Sequence, residues 1–144
     1  MSLTSRVAGL ALVLSLVLSL VLSSGVAPAV AEDCPAKSTQ MDDIIDAINA
    51  APGCDRAMKI FEACEFGASG DVQFGAVVEK KCEVDFLGRL TALKKRAYQR
   101  EMRVCDRKYR NESGTMYLSF TAFCRAEVAQ RYSQRARKTA GASR

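Results

Sequence analysis

The chain has 144 residues, a net charge of +5, six cysteines and no histidine. The missing imidazole removes the ordinary general base, the usual partner of serine and cysteine nucleophiles and the commonest metal ligand, so the sequence predicts a protein that is not an enzyme and carries no cofactor and no metal site. This length supports one domain with a modest core, the size at which cross-links supply stability that burial alone does not.

Residues 1–31 read as an export signal. Arg6 lies in a short leader, an uncharged apolar stretch runs from Val7 to Leu22, and Ala29-Val30-Ala31 forms the small-residue exit of signal-peptidase substrates. The mature chain then starts near Glu32, in the periplasm or outside the cell, with no stable membrane insertion after cleavage. An uncleaved anchor is the alternative, because Val7 to Ala31 holds no charge and nearly reaches spanning length; Gly25, Pro28 and the Ala-Val-Ala exit favour cleavage.

Residues 32–53 form an N-terminal helix and linker. Thr39-Gln40-Met41-Asp42 has the form of a capping box, and Met41, Ile44, Ile45 and Ile48 recur at spacings that put them on one helical face, ended by Ala51-Pro52-Gly53. A second helix is expected from Asp55 to about Phe66, with Ala57, Ile60, Phe61 and Cys64 inward, closed by Gly67-Ala68-Ser69-Gly70. Asp71 is expected to cap a third.

No proline interrupts Val72 to Arg110, and Val78, Cys82, Phe86, Leu90, Leu93, Ala97 and Val104 trace an apolar stripe along it, with Gly88 as the place where the helix bends or splits. Its outer positions carry Arg89, Lys94, Lys95, Arg96, Arg100, Arg103, Arg107 and Lys108. After the breakers Asn111 to Gly114, Thr115 can cap a last helix with Tyr117, Phe120, Phe123, Cys124, Val128 and Tyr132 apolar. Residues 54–135 are thus read as one disulfide-stapled helical domain and 136–144 as a disordered basic tail. No alternating run of useful length appears, so the fold class is all-α, about four helices.

An even cysteine count in an exported domain predicts three disulfides among Cys34, Cys54, Cys64, Cys82, Cys105 and Cys124. Cys105 and Cys124 flank the turn at Asn111 to Gly114 and are the preferred pair. The other four leave two arrangements in view: Cys64–Cys82 with Cys34–Cys54, or Cys54–Cys64 with Cys34–Cys82. The spacings, nine residues between Cys54 and Cys64 and seventeen or more between later neighbours, are unlike the close pairs of zinc sites. The carboxylate pairs Asp42-Asp43 and Glu83/Asp85 have no tryptophan or aromatic sugar platform beside them and read as solvated faces and helix caps.

Charge is uneven along the chain. Residues 32–87 hold 5 basic and 12 acidic residues, a balance of −7, whereas residues 88–144 hold 15 basic and 4 acidic, a balance of +11. Either the halves pack together and complement each other, or the basic half remains available to anionic partners. Export and sparse aromatics, with only Tyr98 and Tyr109 interleaved among the cations, argue against nucleic acid and point to anionic envelope polymers.

The segments CDRAMKIFEAC (54–64), AYQREMRVC (97–105), ESGTMY (112–117) and FCRAEVAQRY (123–132) together resemble the N-terminal domain of the LprI lysozyme-inhibitor family. The resemblance covers about Cys54 to Arg135. It implies an exported bacterial helical domain that binds a lysozyme or another wall-degrading enzyme without catalysis, with Cys54, Cys64, Cys105 and Cys124 as structural cysteines and Arg103 and Arg131 as weaker matches. The acidic residues Asp42, Asp43, Asp46, Glu62 and Glu65 would attract a cationic lysozyme. The chain departs from the family pattern in Cys34 and Cys82, in Tyr98 where tryptophan is expected, in the long spacing after Cys64 and in lacking a lipid-attachment cysteine after the leader.

Overall fold

The computed structural model describes residues 33–142; the export signal expected over 1–31 lies outside the described residues. Among the described residues the secondary structure is entirely helical: α1 (Met41–Ala50), α2 (Cys54–Cys64), α3 (Asp71–Glu83), a 3-10 turn (Leu87–Arg89), α4 (Ala92–Lys108) and α5 (Thr115–Ala142).

The first helix buries Ile44 and Ile48, four residues apart on one face, with Met41 and Ile45 half-buried beside them. Its start differs from the expected capping box. Gln40 holds the N-cap position without a side-chain bond, and the Ser38 hydroxyl organises the turn instead, accepting from the Gln40 N–H at 3.1 Å and donating to the Asp43 carboxylate. The helix ends where Ala51 turns to ψ 138°, the extended conformation that a following proline favours.

Most of α2 is core, with Cys54, Ala57, Met58, Ile60, Phe61 and Cys64 buried. Cys54, the first residue of α2, is bonded to Cys82, the penultimate residue of α3, so these two helices run antiparallel. Cys34 reaches back to Cys64 at the other end of α2, and Cys105 joins Cys124. The Cα separations are 4.6 Å, 4.8 Å and 5.6 Å for Cys54–Cys82, Cys34–Cys64 and Cys105–Cys124, within the range that a disulfide spans.

The preferred Cys105–Cys124 pair is therefore present, but both expected arrangements of the other four cysteines are wrong. The error is one of length. Cys82 follows a turn after Cys64, yet it lies eleven residues into α3, about 16 Å beyond the start of that helix at 1.5 Å per residue. A hairpin of two helices brings the far end of the second to the near end of the first, which is where Cys54 sits.

Asp71 was expected to cap α3. It is instead the first residue of that helix and fully buried, with its carboxylate turned back to accept the N–H groups of Phe66 at 2.9 Å and Ala68 at 3.2 Å and the Ser119 hydroxyl of α5 at 2.6 Å. The carboxylate thereby satisfies the α2–α3 loop and ties it to the last helix.

The apolar stripe expected from Val72 to Arg110 is broken into two helices. Leu90 is extended (ψ 136°) and Thr91 caps α4, its hydroxyl accepting from the Lys94 N–H at 3.4 Å. This break resets the helical phase. Phe86 remains buried, but Leu93 and Val104 are 68% and 55% exposed, and α4 buries Tyr98, Met102 and Cys105 instead.

The last helix packs parallel to α3, with Asp71 opposite Ser119, Gly75 opposite Ala122 and Glu79 opposite Arg125. Its core face is made of small residues, Ser119, Ala122, Ala126, Val128, Ala129 and Ser133, and Phe120, one of the apolar residues read along this helix, is 40% exposed. The reason is proximity. A Cβ on Gly75 would stand 2.9 Å from the Ala122 Cβ, so only glycine fits at this crossing. Larger rings fill the flanks: Phe61 stacks on Phe123 at 4.0 Å between centroids, and Phe86, Tyr98 and Tyr132 meet at 5.0–5.4 Å. The tail expected to be disordered after Arg135 is helical to Ala142, held by Arg137 pairing with Asp55 and Asp85 and by the Thr139 hydroxyl donating to the Arg135 and Ala136 carbonyls. Gly114, at φ 116°, makes the reversal that folds α5 back against α4.

Candidate cationic binding face

The two halves of opposite charge meet along α5. Arg125 forms a fork with Glu79 at 3.0 Å and 3.1 Å and also bonds Asp106 at 2.8 Å, bridging α3 and α4. Asp55 of α2 accepts from Gln134 at 2.9 Å, from Gln130 at 3.1 Å and from Arg137, while Asp85 accepts from Ser133. Burial pushes the Glu79 carboxyl above its ordinary value, an effect that the Arg125 hydrogen bonds and charge oppose. The Gln134 hydrogen bond, supplemented by Gln130 and Arg137, holds Asp55 below its ordinary value against the smaller effect of burial.

A second polar set fixes α4. The Tyr98 hydroxyl, at the end of a buried ring, donates to Glu83 at 2.9 Å, and Tyr132 donates to Glu101 at 2.7 Å, where Arg131 also pairs at 3.3 Å. Both phenols are pushed up, first by burial and then by the carboxylate each one faces. Tyr98, read from sequence as interleaved with surface cations, is thus a core residue that orients the helix.

What remains on α4 is unpaired positive charge. Lys94, Lys95, Arg96, Arg100, Arg103 and Arg107 are all exposed, and none of them pairs with a carboxylate among the described residues. Arg96, Arg100, Arg103 and Arg107 follow one another at steps of four, three and four, a single stripe about 16 Å long. Glu101 and Asp106, each next to a stripe arginine in sequence, are already engaged, Glu101 by Tyr132 and Arg131 and Asp106 by Arg125. At the amino end of α4 this face meets a groove of about 620 Å³ running along the last turns of α5.

The residues singled out from the sequence divide clearly. The six cysteines come together as three structural pairs. Three of the four carboxylates in the pairs singled out are taken up in separate contacts: Asp43 by Ser38, Glu83 by Tyr98 and Asp85 by Ser133 and Arg137. Of the two arginines carried by the family resemblance, Arg103 stands in the exposed stripe and Arg131 pairs with Glu101. The groove was not foreseen. Its signal in the sequence is the run Phe86-Leu87-Gly88-Arg89-Leu90-Thr91, where an apolar stretch, a glycine and a capping residue coincide. In comparisons with known proteins, no family model, no curated protein and no solved structure matches this chain.

Proposed function

We propose that this is an exported, non-catalytic binding protein whose α4 face engages an anionic polymer of the cell envelope. The observation that carries the reading is the division of the cations. Arg125, Arg131 and Arg137 are used inside the fold, while six cations on α4 face outward with no carboxylate partner among the described residues. A rigid helix with unpaired charges in one stripe presents a repeating polyanion with a matching row of counter-charges, and no shape change is needed to bind. Three disulfides suit the oxidising compartment that the leader implies.

A second reading has its own support. Asp42, Asp46 and Glu65 are exposed on the α1–α2 side, a surface that complements a cationic muramidase and fits the LprI-like resemblance. One pair of assays separates the two. Oxidised protein is expected to co-sediment with cell walls that carry a poly(glycerol phosphate) polymer, to lose binding when the polymer is stripped, and to leave lysozyme activity on soluble peptidoglycan fragments unchanged. Binding that survives stripping overturns the polymer reading, and inhibition on the soluble substrate establishes the inhibitor reading in its place.

A further inference from the structure

The groove at the amino end of α4 has a composition different from that of the cationic stripe. Its floor is hydrocarbon and ring: Phe86, Leu90, Tyr132 and Ala136, drawn from the segment before α4 and from α5. Arg89, Lys94 and Arg135 also line it, and no acidic residue does. Two of these cations are already oriented. The Arg89 guanidinium donates to the Asp85 carbonyl, and that of Arg135 lies over the Tyr132 ring at 5.6 Å from its centroid. At about 620 Å³ the groove falls within the range of small-molecule sites, roughly 300–1,000 Å³.

We infer that this groove binds a long-chain fatty acid, with the acyl chain along Phe86, Leu90, Tyr132 and Ala136 and the carboxylate against Arg89, Lys94 and Arg135. A polyanion would leave the apolar floor unused, and a neutral apolar ligand would leave three cations beside it with no anion to face. A single-chain anionic amphiphile satisfies both surfaces at once. Buried methylenes strengthen binding by up to about fourfold each, and the guanidinium groups match a carboxylate in geometry as well as charge. The inference does not rest on polymer binding: of the six outward cations proposed for the polymer only Lys94 lines the groove, and the stripe Arg96, Arg100, Arg103 and Arg107 lies outside its lining.

The test uses delipidated, oxidised protein in titration calorimetry with octanoate, laurate and palmitate below their aggregation limits, and with methyl palmitate as the uncharged control. Saturable 1:1 binding that tightens with chain length, and is at least tenfold weaker for the ester, is the expected result. Ala136→Trp, which fills the groove, should abolish palmitate binding while wall co-sedimentation stays as in the parent. Arg89→Gln with Arg135→Gln should weaken palmitate at least tenfold and leave the melting temperature within a few degrees. No saturable binding, equal affinity for acid and ester, or undiminished binding by a folded Ala136→Trp variant each overturns the inference. So does binding confined to phosphatidylglycerol vesicles, which would make the occupant a membrane surface.

Discussion

The helices α2 and α4 lie on opposite sides of the same design problem. Six of the 11 residues of α2 are buried, whereas only three of the 17 residues of α4 are. The shorter helix is held at both ends by disulfides to Cys34 and Cys82, and its polar Asp55 is taken up by Gln130, Gln134 and Arg137. The longer one is held against α5 by one disulfide, the Tyr98–Tyr132 ring contact and the Arg125–Asp106 and Arg131–Glu101 pairs, and to α3 by the Tyr98–Glu83 hydrogen bond. An arginine has a different meaning in each place. Opposite an acidic helix it completes the fold, as Arg125 does against Glu79; on the outer side of α4 no acid meets it, and its charge is available to a partner.

The contrast is broken most severely in the core. Phe61→Ala removes a fully buried ring stacked on Phe123 and should cost about 3–5 kcal/mol, against under about 0.5 kcal/mol for Leu93→Ala on the exposed side of α4, both measured by urea denaturation. Next come the staples, at about 2–5 kcal/mol each. Cys54→Ser should release a thiol at Cys82, and Cys105→Ser one at Cys124, located by alkylation and peptide mass mapping. Alkylation at Cys34 or Cys64 in the Cys54→Ser variant would contradict the pairing.

Smaller effects sharpen the contrast. Tyr98→Phe keeps the packed ring but leaves Glu83 without its donor, and should cost about 1 kcal/mol in thermal unfolding while hydrogen exchange speeds up in α4 more than in α2. The smallest change concerns Asp55. Its folded carboxyl is held below the ordinary value, so its contribution is present above the usual carboxylate range and is lost as pH falls through the folded value. The parent should therefore be more stable than Asp55→Asn at neutral pH, and the difference should shrink as acid protonates this carboxylate. A difference that grows in acid would show the opposite linkage.

How much of this was legible in the sequence depended on which signal carried each element. Large apolar residues at helical spacing located α1, α2 and the all-helical class, because Ile44, Ile48 and Phe61 do face the core. The same signal failed where small residues do the packing: Ala122, Ala126 and Ser133 form the inner face of α5 and carry little hydrophobic weight. It failed again after Phe86: Gly88, read as the place of a bend or split, does lie in the 3-10 turn between α3 and α4, but a break of a few residues changes which face points inward, and the stripe read through Leu93 and Val104 did not allow for that. The basic stripe was legible as composition. That its charges are unpaired was not, because pairing depends on α5 lying parallel to α3 and antiparallel to α4, which no local pattern encodes.

The central claim is that paired cations hold the fold and unpaired cations make the binding surface. It is tested most directly by comparing two triple variants for melting temperature and for binding to the poly(glycerol phosphate) polymer. Arg100→Gln/Arg103→Gln/Arg107→Gln should melt within a few degrees of the parent and bind at least tenfold more weakly, whereas Arg125→Gln/Arg131→Gln/Arg137→Gln should melt markedly lower and, below its melting temperature, bind as the parent does. If the α4 variant unfolds early, or if both variants lose binding equally, the division of labour between the two sets of arginines is contradicted.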